Sequence, residues 1–433
     1  MPRQGCSDAI GSTSYSRRLV LGQCLEIPLF NFWSLFMMKK TLVALAATAV
    51  TGAFAQVAIT GNFDVGVSAV NAQTTASSLT GVISGGTSTN SLAFSGSEDL
   101  GGGLRAGFKL ETTLSGVTTS GLDTSISTGS SAPGQFWSGT PFNSEQFISL
   151  SGGFGTVRAG TPNAAVFRAQ GASQPFGTAL GSGYSSTFSR MGYTQGYAIS
   201  DYLGTTNGAG TSMRVIRMQN TLQYETPNMN GLSGMVEYSF ANDSATSTSA
   251  FAANSVGFLG LLVNYSAGPL TLTAAYNSVK TGTNDIATGY SLNSTNLTTA
   301  TLAANQELAY QFLGGNYKMG QHTFYAGLTN ARASDATEDS QSWNLAYKFG
   351  LNANVDLMAN VVSVSSSLTQ TPVALSTGTT TWNKNAKLLG FGADYRLSKR
   401  TNAYYRYENV DTNTDNTASG ETVRNAIGVR HQF

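Results

Sequence analysis

The last twelve residues of the chain, 422–433, alternate between two kinds of side chain. One parity holds Val423, Ile427, Val429, His431 and Phe433, and the other holds Arg424, Arg430 and Gln432. A β-strand sends successive side chains to opposite faces, so this stretch predicts a strand with one apolar and one polar face. A soluble sandwich could use such a strand with its apolar face inward. The chain, however, ends on Phe433 without a polar tail, which favours a different architecture.

The composition limits the classes of protein that the chain can belong to. The chain has 433 residues, of which 11% are charged, and 49 are glycine. No run of 18 apolar residues follows residue 56, so the sequence argues against a helical membrane protein. Both cysteines, Cys6 and Cys24, lie near the start. This distribution excludes a cysteine nucleophile and a thiolate metal site from residues 56–433.

The same alternation recurs along most of the chain. Leu104, Ala106, Phe108 and Leu110 form an apolar row, opposite Arg105, Lys109 and Glu111. Short Gly-, Asn- and Ser-rich stretches separate successive alternating runs and predict tight turns near residues 151–155, 227–231, 266–269, 319–321, 350–353 and 398–400. Residues 71–90 are small and polar and are predicted to form a loop, followed by a strand over residues 91–96. The pattern predicts an all-β fold of about sixteen strands, with tight turns alternating with longer loops.

Four stretches resemble the general porins of beta-proteobacterial type. They are G-S-E-D-L-G-G-G-L-R-A-G-F-K-L-E at 96–111, S-G-G-F-G-T-V-R-A-G-T-P at 151–162, L-S-K-R-T at 397–401 and G-V-R-H-Q-F at 428–433. The resemblance implies a transmembrane antiparallel β-barrel of the outer membrane, with short periplasmic turns, long external loops and a third loop folded into the lumen. It further implies a homotrimer, contact with outer-membrane lipid, and Phe433 as the signal read by the barrel-assembly machinery.

The amino end predicts an export signal. Met38-Lys39-Lys40 and the apolar run after it are followed by Ala53-Phe54-Ala55, an A-x-A cleavage site. We therefore expect residues 38–55 to be a signal peptide, residues 56–433 to be the barrel, and residues 1–37 to be an upstream extension from a misplaced start. Cleavage after Ala55 would leave 19 of the 24 basic and 21 of the 23 acidic residues, so the mature chain is slightly acidic.

One predicted connection, residues 161–213 between the fifth and sixth strands, is too long for a hairpin loop. It contains Arg168, Arg190 and Asp201. From composition alone it could be a disordered surface loop. The porin resemblance instead implies that it folds inward and narrows the barrel.

The polar parity supplies candidates for the lining of a channel. Together with the three loop residues, the candidates are Arg105, Lys109, Arg158, Arg217, Arg406 and Arg424. Charges that line a narrow region bias ion entry more than distant loop charges do. We therefore predict a modest anion preference despite the acidic total, with Arg158 and Arg217 contributing most because they flank the long loop.

The predicted function is a porin for the passive diffusion of ions and small hydrophilic solutes. We expect no enzyme activity, cofactor, metal site or nucleic-acid partner, because His322 and His431 are the only histidines and no ligand cluster is evident. The alternative is an outer-membrane barrel with an adhesin or structural role and a closed lumen. Its lipid-facing pattern would be the same.

Overall fold

The structure is a computed structural model. It describes residues 57–72, 77–114, 142–178, 180–183, 216–218, 220–240, 256–281, 291–292, 295–296, 307–333, 338–370, 380–414 and 420–433. The chain divides into two compact units, Met1–Phe54 and Ala55–Phe433, and every described residue belongs to the second. The predicted upstream extension and the predicted signal peptide therefore lie outside the described residues, as do Arg190 and Asp201.

The described elements are almost all strands. In chain order they are β1 (Ala58–Ala72), β2 (Ser77–Ser84), β3 (Ser91–Gly101), β4 (Leu104–Thr113), β5 (Gln146–Gly152), β6 (Gly155–Thr161), α1 (Ala165–Gln170), β7 (Thr221–Glu225), β8 (Leu232–Ser239), β9 (Val256–Ala267), β10 (Leu270–Thr281), β11 (Ser291–Leu292), β12 (Thr295–Asn296), β13 (Glu307–Met319), β14 (His322–Ala333), β15 (Glu338–Gly350), β16 (Val355–Gln370), β17 (Thr380–Arg396), β18 (Thr401–Thr414) and β19 (Gly420–Gln432).

The strands form one closed antiparallel ring. From β3 to β10 and from β13 to β19 each strand pairs with the next, β10 pairs with β13, and β1 pairs with both β3 and β19. β2 pairs with residues 65–72 of β1, and β3 pairs with residues 58–62 of β1. β2 and β3 therefore occupy a single strand position in the barrel. The ring of 16 positions confirms the predicted barrel. The separate pair β11–β12 lies outside this sheet.

The prediction of a continuous loop over residues 71–90 is wrong in part. Residues 77–84 are strand β2, with Val67 opposite Val82 and Val65 opposite Ser84. Serine and threonine obscured the alternation here, because their small polar side chains fit a strand as well as a loop. Of the described residues in this range, those numbered 85–90 leave the ladder before β3 begins.

The two faces of the wall differ as the alternation predicts. On β15, the side chains of Trp343 and Leu345 are exposed on the outer surface, whereas Asn344 is 2% exposed on the inner one. An outward apolar face suits lipid, and a closed ring leaves no unpaired strand edge in it. The inner face also carries an apolar cluster, formed by Val362, Val364, Ala386, Leu388 and Val410.

Tight connections occur where the sequence predicts them. The β9–β10, β13–β14 and β17–β18 connections each span only a few residues, and Gly268 and Gly320 have positive φ there. Among the described residues, no helix is long and apolar enough to cross a bilayer.

The closure of the barrel extends to a main-chain pairing between Phe433 and Gly61. The Phe433 amide donates to the Gly61 carbonyl oxygen at 3.1 Å, and the Gly61 amide donates to that of Phe433 at 3.0 Å. The Phe433 ring covers Gly61 so closely that a β-carbon there would lie 2.3 Å from the ring and 2.7 Å from the Ser91 carbonyl oxygen. The missing side chain at Gly61 therefore leaves the space that the phenyl ring of Phe433 occupies.

We predict that Gly61→Val weakens barrel closure. The added side chain must displace the Phe433 ring or the β3 backbone, at a cost of about 1–3 kcal/mol. Urea unfolding of the detergent-refolded barrel measures the loss. Gly234→Val is the matched control, because a β-carbon at Gly234, in β8, has no neighbour closer than 3.8 Å. Equal stability of the two variants would contradict the prediction.

Candidate functional site

The segment after β6 crosses the inside of the barrel. We call residues 162–178 and 180–183 the inner loop. It begins with α1 and bonds in turn to side chains of β7, β8, β13, β15, β16 and β18. A segment of about twenty residues can contact six strands around the barrel only if it lies inside the barrel. For the described part of the connection predicted at residues 161–213, the inward fold is thus confirmed, and the next strand, β7, begins at Thr221.

The start of the inner loop is fixed by a buried carboxylate. Glu237, 1% exposed, accepts the Ala165 amide at 2.6 Å and the Gln223 side-chain amide at 2.9 Å. α1 has no side-chain cap of its own, so the wall supplies the acceptor for its first amide. Gln223 also donates to the Asn163 carbonyl oxygen at 3.1 Å. Two neighbouring strands therefore hold the first turn of the loop.

Three asparagine side chains hold the loop further along. Each donates its side-chain amide to a loop carbonyl oxygen: Asn316 to Ala172 (3.0 Å), Asn344 to Ser173 (2.6 Å) and Asn360 to Gly181 (3.0 Å). These bonds satisfy main-chain groups that would otherwise be unpaired inside the barrel. The loop therefore keeps a fixed course after α1 ends, although its other described residues form no helix or strand.

Glycines in the wall make room for this course. A β-carbon at Gly327 would lie 2.8 Å from the Ser173 Cβ, and one at Gly390 would lie 2.6 Å from the Gly181 Cα. A β-carbon at Gly392 would lie 2.9 Å from the Phe176 ring. A glycine inside a strand commonly marks a close approach by another segment. These mid-strand glycines are thus the sequence signal that could have located the path of the loop.

The far end of the described loop meets β18. The Gly181 amide donates to Glu408 at 2.8 Å, and Arg424 pairs with the same carboxylate at 3.5 Å. Glu408 is fully buried and Arg424 is buried beside it. Arg406, also buried, pairs with Asp394 at 2.9 Å. The predicted candidates Arg406 and Arg424 therefore lie on the inner wall, each paired with an acid.

Two other candidates meet at the start of the loop. The Arg158 guanidinium donates to Glu225 at 2.8 Å, and Arg168 of α1 binds both oxygens of that carboxylate, at 2.8 and 3.1 Å. All three side chains are partly exposed. Two arginines thus share one acid, which leaves this group with a formal charge of +1 at neutral pH.

The remaining described candidates lie outside the groups around Glu225 and Glu408. Lys109 pairs with Glu145 at 2.6 Å and Glu111 at 3.0 Å. Arg217 lies over the Phe167 ring, with its guanidinium carbon 5.9 Å from the centroid, and forms no ion pair with the described residues. Arg105 is exposed at the turn end of β4, away from the inner loop.

Several residues of the site are absent from the sequence-based set. They are Asp64, Glu145, Gln223, Asn316, Asn344, Asn360 and Tyr404. Their inward parity was readable from the strand pattern. Their partners were not, because each contact joins the wall to a segment distant in sequence. Among the described residues, no group of three or more His, Cys, Asp or Glu side chains could hold a metal ion.

Comparison with known proteins agrees with this architecture. The profile of the family described as Gram-negative porin matches residues 41–415. The chain belongs to the Gram-negative porin family. Its localisation is the outer membrane.

Two curated relatives illustrate the family. Outer membrane porin protein 32 of Delftia acidovorans is 34% identical over 258 residues, which cover 58% of this chain and 63% of the relative. Major outer membrane protein P.IB of Neisseria meningitidis is 31% identical over 216 residues, covering 48% and 51% respectively. The aligned part thus spans less than two thirds of either relative.

Solved porin structures share the fold. The anion-selective porin from Comamonas acidovorans superposes with a TM-score of 0.61 at 21% identity, covering 88% of this chain and 100% of that one. The trimer form of OmpT from Vibrio cholerae has a TM-score of 0.57 at 15% identity, covering 87% and 99%. At these identities the likeness concerns the fold alone.

We predict that Glu237→Gln destabilises the start of the inner loop. Both oxygens of Glu237 accept hydrogen bonds, so the amide of glutamine would place a donor against the Ala165 amide or the Gln223 side chain. Leaving one buried donor unmatched costs about 1–3 kcal/mol. Urea unfolding measures the effect, with Glu98→Gln as the control because Glu98 is exposed near a turn. Unchanged stability of the Glu237 variant would show that the loop start is held otherwise.

Proposed function

We propose that the protein forms a water-filled channel in the outer membrane for the passive diffusion of ions and small hydrophilic solutes. One observation carries the proposal: a polar-walled barrel is crossed by a loop that the wall holds by main-chain hydrogen bonds. A loop fixed in this way narrows the lumen permanently, so it can select solutes without an opening step. Membership of the porin family supports this function, and the named relatives are porins and outer-membrane proteins rather than enzymes.

The rival function, an adhesin or structural barrel with a closed lumen, makes the opposite prediction in a planar bilayer. Insertion of the purified protein should produce discrete conductance steps in potassium chloride. A correctly folded barrel that inserts without conducting would overturn the channel proposal. The same preparation tests all of the conductance predictions below.

We further propose that three copies assemble. The porin resemblance of the sequence implies a trimer, and the OmpT structure from Vibrio cholerae is described as a trimer form. The expected result is a compact oligomer on an unheated denaturing gel that becomes a monomer after boiling. A monomeric mass by light scattering in mild detergent would contradict it.

We also propose a modest preference for anions. The porin from Comamonas acidovorans is named as anion-selective, and the start of the inner loop carries an excess of arginine. Arg158 and Arg168 share Glu225, whereas Arg217 forms no ion pair with the described residues. Glu145 interacts with Arg217 electrostatically, but its ion pair is with Lys109. A charge that no direct ion pair neutralises contributes more to the field in a narrow passage. Arg217 is therefore the main contributor of the two flanking arginines.

Selectivity measurements test this assignment. The reversal potential across a potassium chloride gradient should show anion preference in the wild type, and Arg217→Ala should shift it further toward cations than Arg158→Ala does. The double variant should show the largest shift. Arg105→Ala is the control, since it removes the same charge at the turn end, away from the loop. A clear cation preference of the wild type, or equal shifts for Arg105 and Arg217, would refute the proposal.

A further inference from the structure

The second strand position of the barrel is interrupted by an insertion. Ser84, the last residue of β2, lies opposite Val65, and Ser91, the first residue of β3, lies opposite Asn62. Two residues of β1 therefore face six residues of the neighbouring position, numbered 85–90. The insertion therefore adds four residues to this position. Because four is an even number, alternate side chains of β2 and β3 keep the same inward and outward directions across the insertion. We call residues 85–90 the inner turn.

Hydrogen bonds place the inner turn on the inside of the wall. One carboxylate oxygen of the inward-facing Asp64 accepts the Thr87 amide at 2.7 Å, the Thr87 hydroxyl at 2.5 Å and the Ser88 amide at 2.9 Å. The side-chain amide of Asn62 donates to the Ser88 hydroxyl at 2.7 Å and to the Thr89 carbonyl oxygen at 2.9 Å. Both wall residues face inward, so the turn that they bind projects into the barrel.

The inner turn also meets the far end of the inner loop. The Leu180 amide donates to the Gly86 carbonyl oxygen at 3.3 Å, and Leu180 packs with Ile83 and Ala426. Tyr404 donates its hydroxyl to the second oxygen of Asp64 at 2.7 Å. A β-carbon at Gly86 would lie 2.3 Å from that hydroxyl, so turn and tyrosine are in close contact.

We propose that the inner turn is a second element of the constriction, that it fixes the far end of the inner loop, and that Asp64 is its positioning residue. The inference rests on the proposed channel function and deepens it. Asp64 is fully buried and its carboxylate is occupied by four hydrogen bonds, whereas Ser88 and Thr89 are only half-buried. The groups offered to the passage are neutral hydroxyls and main-chain atoms. The inner turn therefore limits solute size and has little effect on ion preference.

The register makes a direct test possible. Deleting residues 86–89 leaves Gly85 and Asn90 opposite Asp64 and Phe63, so β2 and β3 become one strand without a change of parity. In planar bilayers the single-channel conductance of the deletion variant should rise roughly 1.5-fold or more, because conduction depends on the width of the narrowest part. The largest polyethylene glycol that enters the channel should increase as well. Because the deletion also exposes the Asp64 carboxylate to the lumen, the reversal potential should shift toward cations, and a shift toward anions would contradict the assigned role of Asp64.

A second variant keeps the test decisive if the deletion fails to fold. Asp64→Ala removes the acceptor for Thr87, Ser88 and Tyr404 and should also raise the polymer size limit. Asp99→Ala is its control, since Asp99 is an exposed acid that caps a turn amide at Gly101. An unchanged size limit in a folded deletion variant, or in Asp64→Ala if only that variant folds, overturns the inference. A wild type that does not conduct would instead contradict the proposed function itself.

Discussion

The closure of the ring between β1 and β19 is the contact on which the remaining structure depends. Lipid offers no hydrogen-bond partner for a free strand edge, so the barrel is stable in a membrane only when its first and last strands pair. Here the pairing extends to the Phe433 main chain, which exchanges both hydrogen bonds with Gly61. Closure also creates the enclosed space in which the inner loop and the inner turn find partners on many strands.

The inner loop shows how a barrel can hold an irregular segment in its lumen. Its main-chain amides and carbonyl oxygens need partners, and the wall supplies them from Glu237, Glu408 and three asparagines. Glycines at 327, 390 and 392 let the loop approach the sheet at backbone distance. The inner wall therefore positions the loop in two ways. Its polar side chains hydrogen-bond to the loop, and its glycines leave room for the loop backbone.

Sequence reasoning reached the barrel because period-two alternation is a local property that each strand carries by itself. It missed β2, where serine and threonine hide the alternation, and it could not separate the inner turn from a surface loop. It found Arg158, Arg168 and Arg217 as inward candidates, but not that Glu225 occupies the first two. Pairing inside a barrel joins strands that are distant in sequence, as Tyr404 and Asp64 do, so parity alone cannot predict it.

This pairing determines how the charge of the inner wall should be counted. A tally by parity treats every arginine as equivalent, yet Arg406 and Arg424 are buried against Asp394 and Glu408. Their fields are largely cancelled at short range, and they serve chiefly to hold the wall and the end of the loop. On the proposed assignment, the field in the passage arises from groups that no ion pair neutralises fully, namely Arg217 and the two-arginine group around Glu225. The proposed selectivity therefore rests on unmatched charge at the loop rather than on the net charge of the chain.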